Sequence, residues 1–205
     1  MKAAPGLPEA ARIHLVETSP ALREKQRATL AVATVPVAWH ADFNSVPDGP
    51  LVLVANEFFD ALPIRQFVMR ESGWRERAIG RDALDALLFT EVEAADAPQE
   101  DAPIGALREI SPASLAIVAE IARRMKKNSG AALIVDYGPS RCGFGDTLQA
   151  VKNHGFADPL IDPGEADLTA HVDFASLLAA ARRAGAATQG PATQGAFLQA
   201  MGIEA

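Results

Sequence analysis

Leu51-Val52-Leu53-Val54-Ala55-Asn56-Glu57-Phe58-Phe59-Asp60-Ala61-Leu62-Pro63 is the stretch whose reading decides the fold. Residues 51–55 are all apolar, a run that predicts a parallel strand buried on both faces. Polar residues begin abruptly at Asn56, so Asn56, Glu57 and Asp60 fall in a tight turn beyond the strand's carboxyl end. In open α/β sheets that end is where ligands bind. Glu57 and Asp60 are three positions apart, and a helical turn would set both carboxylates on one side. Two readings of the pair stay open: a bidentate cradle for a guanidinium, or a capped turn in solvent.

Upstream, Arg12-Ile13-His14-Leu15-Val16-Glu17 reads as a strand that ends on an acid. Ser19 then supplies an N-cap and Pro20 the first helical position. Leu22, Gln26 and Leu30 recur one turn apart among charged neighbours, the pattern of a solvent-facing amphipathic helix. A second strand over residues 35–39 leads to Asp42-Phe43. Downstream of Pro63 the pattern changes. Residues 64–71 and 74–79 flank a Ser72-Gly73 turn as a hairpin, and residues 84–92 add a third antiparallel strand. Residues 94–103, rich in Ala, Pro, Asp and Glu, read as a flexible link.

The α/β rhythm returns at Ser111-Pro112, which repeats the cap-plus-proline signal before a stripe of Leu115, Val118, Ala119, Ala122 and Met125. Gly130 sits where that helix stops. Residues 131–137 read as another buried strand, ending in Asp136-Tyr137-Gly138. A Gly/Asp-rich stretch runs to about Thr169; Asp173 then caps a helix that closes at Gly185. The fold class is therefore α/β, a parallel doubly wound sheet over 1–63 and 104–205 with an antiparallel β insert at 64–103.

Composition narrows the chemistry. A formal net charge of −7 over 205 residues argues against a nucleic-acid surface and suits a basic partner. Cys142, the one cysteine, has no internal disulfide partner and no evident base beside it. No apolar run approaches the roughly 20 residues a bilayer span needs. The start, Met1-Lys2-Ala3-Ala4-Pro5, lacks a signal peptide's apolar core, which makes the cytoplasm the expected compartment.

Neither G-x-G-x-x-G nor G-x-x-x-x-G-K-S/T occurs, so the phosphate-cradling loops of dinucleotide and triphosphate sites are absent. A sulfonium cofactor has no phosphate to cradle. Four strand ends carry polar residues instead: Glu17, Asp42-Phe43, Asn56-Glu57 and Asp136-Tyr137. Glu17 reads either as an acceptor for ribose hydroxyls or as a helix-start acid facing the dipole. His154 and His171 share the Gly/Asp-rich stretch with Asp146, Asp158 and Asp167. Their spacing fits no usual metal-ligand pattern, which leaves them solvated or in a substrate cleft. His14, His40, Trp39 and Trp74 read as structural.

Ala55-Asn56-Glu57-Phe58-Phe59-Asp60-Ala61-Leu62-Pro63 resembles the hallmark of the MidA-like methyltransferases, whose mitochondrial members assist respiratory complex I assembly. Collinear matches follow at His14-Leu15-Val16-Glu17-Thr18-Ser19-Pro20-Ala21-Leu22-Arg23, Gly73-Trp74-Arg75-Glu76-Arg77, Leu133-Ile134-Val135-Asp136-Tyr137-Gly138, Gly145-Asp146-Thr147-Leu148-Gln149-Ala150, Gly164-Glu165-Ala166-Asp167-Leu168-Thr169-Ala170-His171-Val172-Asp173-Phe174 and Thr193-Gln194-Gly195-Ala196-Phe197-Leu198. The resemblance implies a class I, Rossmann-like methyltransferase sheet, S-adenosyl-L-methionine as cofactor, and methylation of arginine on a protein client. It implies the mitochondrial matrix for a eukaryotic member. It carries over Glu17 as ribose ligand, Asp42 and Phe43 as the adenine-side loop, Asn56 at the methionine end, and Glu57 with Asp60 as catalytic carboxylates. Asp136, Tyr137, His154 and His171 are expected in the substrate cleft, with no metal.

The family's glycine-rich first motif and its strand, expected before His14, are missing, as is a strand after Gly202-Ile203. The chain is thus expected to be a partial one, inactive alone. A non-catalytic assembly module on the same fold is the alternative, and an NAD enzyme a more distant one.

Overall fold

The computed structural model describes Gly6 and residues 10–203; the Met1-Lys2-Ala3-Ala4-Pro5 start, read above for a signal peptide, and the closing Glu204-Ala205 lie outside the described residues. The chain forms two compact units, Met1–Gly49 and Pro50–Ala205.

In the first unit, β1 (Ile13–Val16) and β2 (Val37–His40) pair in parallel, from Ile13 opposite Val37 to Val16 opposite His40. The crossover is α1 (Pro20–Thr29), whose N-cap Ser19 accepts the Leu22 N–H at 3.3 Å. No residue of α1 is buried, as its solvent-facing pattern predicts. Its polar links to the strand pair include the Trp39 indole N–H donating to Gln26 Oε1 at 2.9 Å and the Arg27 guanidinium over the Trp39 ring, 5.2 Å from its centroid. The His14 and His40 rings meet nitrogen to nitrogen at 2.8 Å, and burial followed by the neighbouring imidazole lowers the His14 pKa. Both histidines serve the strand pair.

The second unit runs β3 (Leu51–Asn56), β4 (Arg65–Arg70), β5 (Gly73–Arg81), β6 (Leu87–Val92), β7 (Leu107–Ile110), α2 (Pro112–Asn128), β8 (Gly130–Val135), β9 (Gln149–Lys152), β10 (Gly155–Ala157), β11 (Asp167–Thr169), α3 (Phe174–Arg183) and α4 (Gln194–Ala200). β3 and β8 pair in parallel, Leu51 opposite Gly130 through Asn56 opposite Val135. Helix α2 is the right-sized crossover between parallel strands. It packs on this pair and against α3, burying Val118, Ile121 and Ala122.

The two-face burial expected of β3 is not what forms. Its burial alternates, with Val52 83% and Val54 68% exposed, and β8 is exposed over its first four residues. One face meets α2. Over the other, no described element packs. The continuous apolar run therefore reports a strand suited to two covers, of which one is present among the described residues.

The antiparallel sheet has the order β6-β5-β4-β7. The hairpin and third strand form as predicted, and Leu107–Ile110 joins the opposite edge, pairing Arg65 with Ile110. Arg65 forks onto Glu76, with both N–H···O distances 2.7 Å, and also reaches Asp96 at 2.9 Å. Segment 94–103 is not the loose link expected. Asp96 and Glu100 anchor it, the Glu100 carbonyl accepting from the Trp74 indole at 2.9 Å.

The Gly/Asp-rich stretch also holds more order than its composition suggested. It forms an antiparallel sheet β10-β9-β11. Its strands of three and four residues are too short for a periodicity signal. A turn with Asn153 and His154 both left-handed, φ 53° and 62°, joins β9 to β10; that is the twist a two-residue hairpin prefers.

Candidate functional site

The turn after β3 is where the second unit gathers its polar side chains. The helical turn expected over residues 57–60 does not form. Glu57 takes a left-handed conformation, φ 45°, an uncommon state for a side-chain-bearing residue. Its N–H donates to the Val135 carbonyl at 2.9 Å, extending the β3–β8 ladder by one bond. The bend leaves Glu57 exposed and sends Asp60 inward, to 6% exposure.

Asp136, one residue beyond β8, staples that turn. Its Oδ2 accepts the N–H groups of Phe59 at 3.0 Å and Asp60 at 3.3 Å, and its Oδ1 accepts the Tyr137 N–H at 2.9 Å. Burial raises the Asp136 pKa, the Asp60 charge adds to the rise, and the three N–H donors oppose it. Asp136 is thus a builder of the cleft more than a free group within it.

Asp60 is held by its backbone, its carbonyl accepting from the Ala170 N–H at 2.9 Å. Its Oδ1 is buried and has no hydrogen-bond partner among the described residues. Such an acceptor costs about 1–3 kcal/mol of desolvation unless a donor arrives. The Tyr137 phenol lies near Thr169, Asp60 and Gln149; partial burial is the first cause of its raised pKa, and Asp60 pushes the same way. The Tyr137 carbonyl accepts the Val172 N–H at 3.0 Å. Gly138 makes that approach possible, since a Cβ there would lie 2.2 Å from the Val172 oxygen. His171 sets its ring edge-on to Tyr137, 5.7 Å between centroids.

The fold therefore brings Asp60, Asp136, Tyr137 and His171 together from three separated segments. Asn56 ends β3, exposed beside Glu57. His154 sits exposed at the β9–β10 hairpin tip, where its left-handed backbone explains its place in the turn. Thr169 and Gln149 were not singled out from the sequence, although both lie in stretches that matched the family pattern; recurrence there was the available signal.

In the first unit, Glu17 stands at the end of β1. Its Oε1 accepts the Ser19 N–H at 2.9 Å and its Oε2 the Gln26 amide at 3.3 Å. An ionised carboxylate has about four acceptor positions, so this arrangement serves the helix start and leaves capacity for ribose hydroxyls. Asp42 caps the short 3₁₀ turn Phe43–Ser45, Oδ1 accepting the Ser45 N–H at 3.1 Å. Its second oxygen and the half-buried Phe43 ring suit an adenine's amino group and face.

A cavity of about 210 Å³ adjoins Phe59 and His171, lined also by Arg108, Glu109, Ser114 and Asp173. Cys142 donates to Asp173 at 3.2 Å beside it. No group of three or more potential metal ligands occurs among the described residues, and no described helix is long and apolar enough to cross a membrane.

Residues 1–192 match a family described as "Putative S-adenosyl-L-methionine-dependent methyltransferase". Among curated proteins, the chain is 37% identical over 217 residues to the mouse "Protein arginine methyltransferase NDUFAF7, mitochondrial", covering 94% of this chain and 49% of the relative. The human protein of that name is 34% identical, with the same shares covered. The chain thus spans about half the length of these relatives. Among solved structures, an uncharacterised Burkholderia thailandensis protein superposes with a TM-score of 0.79 at 30% identity, over 94% of this chain and 55% of that one. A superfamily member from the same organism, crystallised with S-adenosyl-homocysteine, superposes at 0.78 with 30% identity, over 94% and 53%.

Proposed function

This chain belongs to the S-adenosyl-L-methionine-dependent methyltransferase family whose pattern it matches, and from that premise we propose that its protein transfers a methyl group to arginine on a protein client. The buried, unpartnered Oδ1 of Asp60 carries the acceptor side of this reading. A carboxylate oxygen held without a donor among the described residues, just past the carboxyl end of β3, is matched by a guanidinium, which has five N–H donors and no acceptor. The names of the curated relatives support the same acceptor class.

The cofactor supplies an electrophilic sulfonium methyl and leaves as a neutral thioether. Glu17 would accept its ribose hydroxyls, Asp42 and Phe43 would receive its adenine, and Asn56 its methionine end. Asp60 would accept two guanidinium N–H groups and draw positive charge away from the third nitrogen, whose lone pair forms the new N–C bond. That nitrogen then sheds a proton, which the exposed Glu57 would take and pass to water. Most of the acceleration would come from orientation. His171, edge-on to Tyr137, and the hairpin-tip His154 would face the client. The reaction would run in the cytoplasm, or in the mitochondrial matrix of a eukaryotic member. The Rossmann-like portions at 1–63 and 104–205 would hold the chemistry, and the insert at 64–103 would brace it.

Two measurements on the full-length protein test this reading. Equilibrium titration with S-adenosyl-L-methionine should show saturable binding; its absence favours the non-catalytic assembly module. With an arginine-bearing peptide as acceptor, Asp60→Asn and Glu57→Gln should each cut methyl transfer at saturating cofactor by roughly tenfold or more, the cost of losing a charged hydrogen bond. Unchanged transfer in both sinks the carboxylate roles.

A further inference from the structure

A line of hydrogen bonds in the first unit joins the two strand ends expected to hold the cofactor. His14 lies opposite Ala38 and His40 opposite Val16, so both rings stand on one face of the strand pair. Helix α1 meets the other face, through Trp39. His14 Nδ1 and His40 Nε2 are 2.8 Å apart. His40 Nδ1 then meets Ser45 Oγ at 3.3 Å, and the Ser45 hydroxyl donates to the Asp42 carbonyl at 2.8 Å. The Ser45 N–H donates to Asp42 Oδ1 at 3.1 Å. On the other side, the His40 carbonyl accepts the Glu17 N–H at 3.0 Å. Glu17 and Asp42 are therefore both joined to His40, one by a backbone bond and the other through Ser45.

The direction of each bond follows from one carbonyl. The Asp42 oxygen can only accept, so the Ser45 proton is committed to it and Ser45 Oγ must accept from His40 Nδ1–H. A neutral His40 then has its lone pair on Nε2, and His14 must donate to it from Nδ1–H. A first added proton can enter at His14 Nε2 and leave every bond intact. A second has only the His40 Nε2 lone pair to enter, and there it replaces the bond with two N–H groups facing each other. We propose that His14 and His40 are positioning residues of the cofactor crevice: their hydrogen bond ties the ends of β1 and β2, and with them Glu17 and Asp42, into cofactor-binding register, and it opens when both rings carry charge. The proposal rests on the reading of Glu17 and Asp42 as cofactor ligands.

Other charges lie around the pair rather than on it. Arg12, two residues before His14, donates to the Ala11 carbonyl at 2.8 Å, and the charged residues of α1 belong to the opposite face. Burial first, then the His40 ring, disfavours charge on His14. An imidazole with a lowered pKa contributes fully above its free value and loses that contribution as pH falls below it. Cofactor affinity should follow the same sign.

Calorimetric titration of the full-length protein with S-adenosyl-L-methionine tests this. Wild-type affinity should hold down to about pH 6.5, the ordinary value of a free imidazole, and fall several-fold by about pH 5. His14→Leu deletes the bond and should bind several-fold more weakly throughout. His14→Asn keeps the bond, its amide nitrogen standing where Nδ1 stood and its oxygen able to accept once His40 is charged. It should rescue the neutral-pH loss and flatten the profile. Every other titrating group, Glu17 and Asp42 included, is common to the three proteins, so a difference between profiles belongs to the pair. A His14→Asn profile as steep as the wild type's, or wild-type affinity in His14→Leu, overturns the proposal; if His14→Leu does not fold, His14→Asn decides. Affinity unmoved by both Glu17→Ala and Asp42→Ala removes the ligand reading instead. Histidine ¹⁵N shifts, assigned with His14→Asn and His40→Gln, then still decide the pair: Nδ1–H on both rings supports it, and Nε2–H on His40 overturns it.

Discussion

Gly138 shows how much one missing methyl group can decide. The chain bends there at φ 157°, and an added Cβ would fall 2.2 Å from the Val172 oxygen and 2.7 Å from its nitrogen. The Tyr137–Val172 hydrogen bond depends on that closeness. Gly138→Ala should therefore cost more than about 2 kcal/mol in denaturant unfolding, the range of enforced backbone strain. Gly143, whose Cβ would meet nothing within 4 Å, is the control, and Gly143→Ala should change stability by less than about 0.5 kcal/mol. At this scale the sequence was partly legible. Asp60 and Tyr137 could be named from their places at strand ends. That Asp60 turns inward while Glu57 turns out could not, because Glu57's left-handed φ has no signature in a non-glycine residue.

Among the elements, α3 starts on an aspartate that does two jobs. Asp173 caps the helix, Oδ1 accepting the Ser176 N–H at 3.0 Å, and it faces Arg108 at 3.5 Å. Burial alone would raise its pKa, but the Ser176 N–H and hydroxyl, the Cys142 thiol and the Arg108 charge hold it below the ordinary range. A lowered carboxylate stabilises the fold above its unfolded pKa and loses that contribution as pH falls through its folded one. Asp173→Ala should thus cost about 1–2 kcal/mol at neutral pH. Asp173→Asn keeps a competent cap and loses the charge. Its deficit against the wild type should shrink as the pH of the unfolding experiment drops below about 4. A deficit constant across that interval would contradict the assignment. Such caps were plain in the sequence at Ser19, Ser111 and Asp173, and these, like Thr193, each accept the N–H three residues on. The short strands β9 to β11 were not, since their pairing partners lie on other segments.

At the scale of the whole molecule, charge is the property that bears on partners. A formal net charge of −7 would draw in a basic, arginine-bearing client and would leave cofactor binding largely to local contacts. Raising ionic strength from about 0.05 to 0.5 M shortens the Debye length from roughly 14 to 4 Å. KM for a basic peptide should then rise several-fold in the full-length protein, with little change in the dissociation constant for S-adenosyl-L-methionine. A KM that ignores salt would show that encounter owes nothing to the protein's field.

The sequence by itself determined the α/β class, the helix starts, the hairpin between β4 and β5, and the family, because each is written in local spacing or in an ordered string of residues. Tertiary structure alone decided that Asp136 staples the turn after β3, that β3 has one covered face, and that Thr147 links the Glu109 carboxylate to the backbone N–H of His171. Those outcomes are contacts between residues tens of positions apart, and a hydrogen bond across such a separation leaves no periodicity in the chain that makes it.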